Sequence, residues 1–270
     1  MKKMDRETVL AERRGRKLTY GEYVDALRAV GLQAGDTICV HSDLPQFGRT
    51  RIARGAYEQA FVEGLLEVIG TEGTLIMPTF SYSFCKGEVF DVQNTKSDVG
   101  CLTEHFRKLP GVIRTAEPIF SFALSGKNAE RYLAIGESCF SRDSMYGKLL
   151  DDDAKIVFLG SHMGATFNHY VEAQMEVPYR FMKRFSGIVR NNDEQYETYR
   201  DFFVRYLDRD SMPDADKLDK FYIETGIIHM EYIGEATISS IRCVRWFEEA
   251  EKKYRQDPTY FLIKEKKGEP

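Results

Sequence analysis

The runs "TICVH" (37–41), "TLIMPTF" (74–80), "IFSFALSG" (119–126) and "KIVFLGS" (155–161) constrain this chain more than any other feature. Each is short, rich in β-branched or aromatic residues and bounded by turn formers. None shows the polar alternation of a strand with one wet face, so each predicts a sheet strand covered on both sides. Helical spacing fills the gaps between them. "LTYGEYVDALRAVG" carries a capping box, Thr19 with Glu22 three residues later, and stops at Gly31. "AYEQAFVEGLLEVIG" stops at Gly70, "GCLTEHFRKLPG" is ended by Pro110, and "NAERYLAIG" gives a further helical pattern. Strands alternating with helices predict an α/β domain.

After Arg180 the pattern changes. Charged and aromatic residues mix through "FMKRFSGIVRNNDEQYETYRDFFVRYLDRD", with Asn191-Asn192-Asp193 as a turn signal. This predicts a hairpin-like excursion, then a helix near 214–225. "GIIHMEYIGEATI" reads as a returning strand, and Ser239 or Ser240 as the cap of a final helix through "IRCVRWFEEAEKKYRQ" before Pro258. With no internal repeat and no low-complexity linker, 1–270 is expected to form a single domain.

Composition narrows the function. The chain is 43% hydrophobic and 30% charged, with no apolar run near the roughly 18 residues that span a bilayer, so no membrane role is expected. "MKKMDRETVL" has no apolar segment behind its positive charge, which leaves the cytoplasm as the expected compartment. Cys39, Cys85, Cys101, Cys139 and Cys243 are odd in number, scattered and never in a C-x-x-C pair, which disfavours disulfides and structural zinc. A net charge of -4 gives no support to nucleic-acid binding.

Three groups of residues carry candidate chemistry. In "TFNHYVEAQMEVPYR" (166–180), His169 and Glu172 lie three apart, on one face if the segment is helical. A carboxylate on one ring nitrogen fixes the tautomer and frees the other nitrogen as a general base. A solvated ion pair has the same spacing; the position after a buried strand and a glycine turn, where α/β proteins place ligands, favours the base. A zinc site would draw on His162, His169 and Glu172, but H-E-x-x-H spacing is absent, and no metal is expected.

The second group is "VHSDLPQFGRTRIARG", a strand end running into a turn with Ser42, Asp43 and Gly48, then Arg49, Arg51 and Arg54 before a helix. Free amides at a helix start beside arginines suit a phosphorylated ligand, although neither a Walker A nor a G-x-G-x-x-G sequence is present. An exposed basic loop reads the same way. The third group sets Thr79, Tyr82, Asp91, Thr95 and Ser97 around "MPTFSYSF" and "FDVQNTKSDVG", with Phe80 and Phe84 as aromatics suited to a core.

Together, "HSDLPQFG", "EGTLIMPTF", "FDVQNTKSDVG-LTEHFRKLPGVIRT", "FSFALSG", "YGKLL…KIVFLG" and "T-x-x-H-x-x-E…VPYR" closely resemble, in order and spacing from about residue 19 to 250, the aminoglycoside 3-N-acetyltransferase family. The resemblance implies a three-layer α/β/α fold with a mixed central sheet, plus the excursion after about residue 180, and coenzyme A as acyl carrier. It implies His169 as base and Glu172 as the residue that orients it. It places the turn from His41 to Leu44 (His41, Ser42, Asp43, Leu44), and the Thr95 to Ser97 segment, against pantetheine and phosphates. With these we group Phe47, Gly48, Arg49, Arg51 and Thr79 as candidate coenzyme A contacts, and Tyr82, Phe84, Asp91, Tyr179 and Arg180 as candidate acceptor contacts. Three positions depart from the family pattern: Glu117-Pro118 replaces the usual His-Pro, Met163-Gly164-Ala165-Thr166 replaces Asp-Ser-Asn-Thr, and Arg54-Gly55 replaces a glycine pair.

The chemistry that follows is N-acylation by acyl-CoA. His169 would take the ammonium proton, the amine would attack the thioester, and Thr166, one turn before the base, is the candidate oxyanion donor. Ser42 and the cysteines lack a base partner evident in the sequence, so no acyl-enzyme is expected. A pocket dedicated to an aminoglycoside should be rich in carboxylates. The excursion instead offers Lys183, Arg184, Arg190, Arg200 and Arg205 with Tyr196, Tyr199, Phe202, Phe203 and Tyr206; a charged surface hairpin with its aromatics facing the core reads the same way, and with the polar residues missing at 163–166 the pattern favours a nucleotide-linked amino sugar over an antibiotic. The alternatives are an aminoglycoside acceptor, a zinc-dependent hydrolase using His162, His169 and Glu172, and a catalytically silent coenzyme A or nucleotide-binding module. The expected partners are acyl-CoA and a small amine, without nucleic acid or membrane; a homo-oligomer is compatible with the sequence.

Overall fold

A computed structural model describes residues 4–208 and 210–263, so the ends of the span expected as one domain lie outside the described residues. The chain begins with β1 (Val9–Arg13) and β2 (Arg16–Thr19), an antiparallel pair, and runs directly into α1 (Tyr20–Ala29). The predicted capping box is present: the Glu22 amide donates to Thr19 Oγ1 at 3.2 Å, and Glu22 Oε2 accepts from the Thr19 amide at 2.9 Å. β3 (Thr37–Ser42) is the first central strand, and β4 (Arg49–Thr50) returns to pair with β1 in a small sheet that the apolar pattern did not reveal.

α2 (Arg54–Ile69), β5 (Thr74–Pro78), β6 (Phe90–Asp91), α3 (Cys101–Phe106), β7 (Ile113–Arg114) and β8 (Phe122–Gly126) come next. The third helical pattern is corrected: "NAERYLAIG" forms only a 3-10 turn over Ala129–Tyr132. One turn already buries Ala129 and Tyr132, whereas Leu133 stays 41% exposed, so no apolar residue rewards a second turn. α4 (Met145–Asp151), which the sequence pattern missed, is capped by Ser144 and leads into β9 (Lys155–Leu159) and α5 (Phe167–Gln174).

The excursion is a long hairpin, β10 (Arg180–Asn191) with β11 (Glu194–Arg205), turning at Asn192 with φ 53°. α6 (Ala215–Glu224) matches the expected helix. "GIIHMEYIGEATI" is corrected from one strand to two, β12 (Ile228–Ile233) and β13 (Ala236–Arg242), because Gly234 at φ 64° folds the chain back between them. The expected serine cap is corrected too. Ser239 and Ser240 lie inside β13, Ser240 Oγ donating to the Val30 carbonyl at 2.6 Å. The last helix, α7 (Cys243–Gln256), takes its cap from a distant loop: Asp153 Oδ1 accepts from the Val244 amide at 3.1 Å.

The seven-stranded central sheet runs β12-β13-β9-β3-β5-β8-β7, parallel through β9, β3 and β5 and antiparallel elsewhere. Successive strand residues enter opposite cores. Ile38, Val40, Leu75, Met77, Val157 and Leu159 pack in one core with residues of α1, α2 and α3; Cys39, Ile76, Ile156 and Phe158 pack in the other with α4 to α7. This is the α/β/α sandwich, and it explains why the strand sequences are apolar throughout. The ends of β3, β5 and β9 open on the same edge of the sheet. Among the described residues no helix is long and apolar enough to cross a membrane.

One carboxylate is buried here without full compensation. Glu117, in the connection before β8, is 4% exposed; it accepts from the amides of Ile119 and Phe120, and Arg200 Nε stands 3.5 Å from its Oε1. Burial outweighs the Arg200 charge and the two amides and pushes its pKa up to about 7. Between the ordinary carboxylate range and 7 the folded chain holds a proton that the unfolded chain has released, so stability falls as pH rises through that interval and levels off above it.

Two outcomes are expected. Thr19→Ala should lower unfolding free energy by about 1 kcal/mol in urea titrations, with the fold intact. In the same assay from pH 4.5 to 8, Glu117→Gln should gain on native protein by an amount on the order of 3 kcal/mol, the linkage equivalent of the raised pKa. Parallel pH profiles would contradict the buried-charge assignment.

Candidate active site

α5 begins where β9 ends, after the turn from Gly160 to Thr166, and places His169 and Glu172 on one face. His169 Nδ1 lies 2.6 Å from Glu172 Oε2, which puts the proton of the neutral ring on Nδ1 and leaves the Nε2 lone pair free. Glu172 is 1% exposed, and the carboxylate is held on all sides. Tyr179 Oη donates to Oε1 at 2.8 Å, Tyr254 Oη of α7 donates to the same oxygen at 3.3 Å, and Arg180 Nε makes an ion pair with Oε2 at 2.8 Å. Burial raises the pKa of Glu172, but the His169 ring, Arg180 and the Tyr179 hydroxyl outweigh it, and the carboxyl stays below its ordinary range. It is therefore an anion at neutral pH.

Arg180 reaches beyond the carboxylate. Its Nη2 stands beside the His169 ring, 2.7 Å from Nδ1 and 3.5 Å from Nε2, donor facing donor at the protonated Nδ1, and its Nη1 donates to the Phe203 carbonyl of β11 at 3.1 Å, so one guanidinium ties the carboxylate to the long hairpin. Asn168, the neighbour of His169, donates to Tyr254 Oη at 2.8 Å. Tyr254 and Asn168 were missed in the sequence; no local pattern joins Tyr254 to a carboxylate 82 residues earlier.

His169 faces a cavity of about 650 Å³ between α5 and the hairpin. Of the candidate site residues Thr166, Tyr82 and Arg180 line it, together with Phe120, Phe181, Lys183, Phe185, Phe202, Arg205 and Tyr206. Phe84 and Tyr179 do not. Phe84 is 1% exposed beneath the hairpin, where a Cβ on Gly187 would meet its ring at 2.9 Å, and Tyr179 turns inward to Glu172.

The turn after β3 abuts the turn after β9. The Asp43 amide donates to the Leu159 carbonyl at 2.8 Å, and a side chain on Gly160 would stand 2.7 Å from the Asp43 carbonyl, which explains glycine there. Leu44 and Phe47 are buried and anchor this turn, while Ser42 and Asp43 stay half-exposed. Gly48 has φ 103° and passes against the Glu12 backbone. His41 stacks on Phe158 at 5.7 Å, and desolvation pushes its pKa down to about 4, so the ring is neutral.

The remaining coenzyme A candidates divide. Arg51 is paired with Glu12 at 2.9 Å and Arg49 is exposed on β4. Arg54 and Gly55, at the start of α2, border a second cleft of about 630 Å³ with Lys96, Ser97 and Lys108. Thr79, Asp91 and Thr95 hold a loop in place: Arg114 donates to the Thr79 carbonyl and the Thr95 carbonyl, each at 2.6 Å, and Thr95 Oγ1 accepts from the Asp91 amide at 2.8 Å.

The residues of the zinc reading do not assemble. His162 turns outward, 72% exposed, with Nδ1 2.8 Å from Asp219, and no group of three His, Cys, Asp or Glu suited to a metal occurs among the described residues. The cations and aromatics of the excursion also divide among different partners. Arg184 lies over Tyr199 at 3.8 Å and Arg200 sits by Glu117, whereas Lys183, Phe202, Arg205 and Tyr206 face the cavity.

Comparison with known proteins fits this architecture. The chain is 26% identical over 204 residues to the SPbeta prophage-derived aminoglycoside N(3')-acetyltransferase-like protein YokD of Bacillus subtilis (strain 168), covering 66% of this chain and 73% of YokD. It is 30% identical over 163 residues to the aminoglycoside N(3)-acetyltransferase IV of a Salmonella species, covering 58% of this chain and 60% of that protein. The structure of AAC-IIIb in binary complex with CoASH superposes with a TM-score of 0.75 at 19% identity, covering 88% of this chain and 97% of that one, a likeness of fold. The family model for aminoglycoside 3-N-acetyltransferase matches residues 39–255, and the chain belongs to that family.

Proposed function

We propose that the chain is an acyl-CoA-dependent N-acyltransferase that acylates the amine of an amino sugar, with His169 as general base. One observation carries the base assignment: an imidazole whose Nδ1 is held 2.6 Å from a buried carboxylate faces a cavity large enough for a small substrate. The ammonium first loses one proton to solvent, and Nε2 takes a second, directly or through one water, as the neutral amine attacks the thioester carbon. As the tetrahedral intermediate collapses the C–S bond breaks, and the proton goes from the ring to the departing thiolate. Thr166, which lines the cavity one turn before His169, would donate to the oxyanion.

Coenzyme A would lie along the turns that follow β3 and β9. The half-exposed Ser42 and Asp43 lie beside the Gly160 turn that leads to His169, and in the cleft of Arg54, Lys96 and Lys108, where Glu58 pairs with Arg54 and Glu104 with Lys108, Lys96 would be the cation for its phosphates. AAC-IIIb, which shares the fold, binds CoASH. The cysteines are free, consistent with one acyltransferase domain working in a reducing cytoplasm.

The names of the relatives bring an aminoglycoside ring amine forward as acceptor. They give no support to the nucleotide-linked amino sugar expected from the sequence, a second reading that rests on the cationic, aromatic lining of the cavity alone.

Thiol release in a panel of acyl-CoAs and amino sugars tests the activity: free thiol should appear only when enzyme, acyl-CoA and amine are all present, with no stoichiometric burst before amine is added. His169→Ala should lower the rate by about 10²- to 10⁴-fold while coenzyme A binding is retained. Unchanged thiol release would reject the base. Glu172→Gln should lower the rate as well and, by leaving the Arg180 cation poorly paired in the interior, cost about 3 kcal/mol or more of stability in urea titrations.

A further inference from the structure

The wall of the cavity opposite α5 is one face of the long hairpin. Register sets Phe181 against Val204, Lys183 against Phe202 and Phe185 against Arg200, so Phe181, Lys183, Phe185, Phe202 and Val204 share that face and line the cavity. It is an apolar, largely aromatic surface with one cation in its middle. A second cation, Arg205, stands at the base of the hairpin on the same cavity.

These two cations differ from their neighbours in having no counter-charge. Arg180 is neutralised by Glu172 at 2.8 Å, Arg184 by Asp201 at 2.7 Å, Arg190 faces Asp91 at 3.7 Å and Arg200 faces Glu117 at 3.5 Å. Among the described residues, Lys183 and Arg205 have no carboxylate in ion-pair reach. The Lys183 ammonium lies 4.8 Å from the Phe185 ring centroid, and Arg205 touches only the neutral Ser211 hydroxyl at 3.4 Å. In a chain with net charge -4, the two hairpin cations left uncompensated are thus the two that face the cavity beside the base.

Acidic groups are scarce there. Asp208 is the one carboxylate among the described residues that line the cavity. Met163 and Ala165, in the turn that leads to the base, are buried and contribute no polar side chain. A polycation entering this space would meet two bare positive charges and a single acid, and like-charge contacts in a partly desolvated pocket exclude ligands effectively. An anion would meet a lysine and a fork-shaped guanidinium.

We propose that Lys183 and Arg205 form an anion-holding pair in the acceptor half of the cavity. The amine that this chain acylates is then carried on a sugar bearing a phosphate group, the aromatic wall packing against the rest of that molecule. The inference rests on the reading of His169 as base of an acyl transfer. It names the acceptor within that reading, and it departs from the polycationic acceptors that the relatives' names denote.

The test compares four amines with acetyl-CoA in a thiol-release assay: glucosamine, glucosamine 6-phosphate, UDP-glucosamine and the polycation neomycin. The native protein should show a KM at least tenfold lower for a phosphate-bearing amine than for glucosamine, and the two phosphate probes separate a terminal phosphate from a nucleotide diphosphate. Lys183→Glu and, separately, Arg205→Gln should shrink the KM ratio between glucosamine and the phosphate-bearing amine at least tenfold, with Lys183→Glu improving neomycin. Lys183 is exposed on a strand, so this variant keeps the fold, and circular dichroism checks it. A lowest KM for neomycin in the native protein, or a ratio indifferent to both substitutions, overturns the anion-holding pair while the acyl transfer stands. Failure of the native protein to release thiol with any amine overturns the acyl-transfer reading itself, and this inference with it.

Discussion

A single buried carboxylate organises this molecule. Glu172 is removed from water, at a cost of several kcal/mol for an unpaired charge, and its environment offsets that cost with four residues from three segments: His169 on its own helix, Tyr179 and Arg180 at the entry to the long hairpin, and Tyr254 on the last helix. Each contact does two jobs. It satisfies the carboxylate, and it fixes an element relative to the His169–Glu172 pair. Arg180 is the clearest case, since the guanidinium that neutralises Glu172 also holds the β11 backbone through the Phe203 carbonyl. The hairpin and the His169 ring are in this way set at a fixed distance by one side chain, the preorganisation that the proposed direct transfer needs.

The sheet supplies the frame for that arrangement. Three parallel strands, β9, β3 and β5, end on the same edge, and the turns that leave them carry Gly160 to Thr166, Ser42 to Gly48 and the approach to Tyr82. Close passage of Gly160 against the Asp43 backbone joins two of these turns without any side-chain interaction. The antiparallel flanks serve other purposes: β13 positions α7, and so Tyr254, while β8 and its preceding loop carry Phe120 into the cavity wall over the buried Glu117.

Much of this was legible in the residues themselves. The central strands could be read because both their faces are buried, which leaves no polar interruption in "TICVH" or "KIVF", and the His169–Glu172 contact because spacing of three on a helix needs no tertiary knowledge. Features decided by tertiary partners could not. The cap of α7 comes from Asp153 in another loop rather than from Ser239 or Ser240, the turn at Gly234 was hidden in a run that reads as one strand, and "NAERYLAIG" stops after a single turn because only Ala129 and Tyr132 find a core. Tyr179 and Arg180, expected as acceptor contacts, hold the Glu172 carboxylate; which of these a side chain does depends on its direction, which the sequence does not record. The absence of counter-charge on Lys183 and Arg205 belongs to the same class, because nearby acids in the chain, such as Asp201, go to other arginines in space.

The geometry makes a definite demand on a complex. In a crystal structure with a non-hydrolysable acyl-CoA analogue, the separation between His169 Nε2 and the carbonyl carbon of the analogue is the quantity that decides the matter. The account predicts that this carbon lies close enough for a nitrogen attacking from about 3 Å to be within hydrogen-bond reach of Nε2, directly or across one water. A pantetheine arm whose carbonyl lies on a face of the sheet that His169 cannot reach would contradict it.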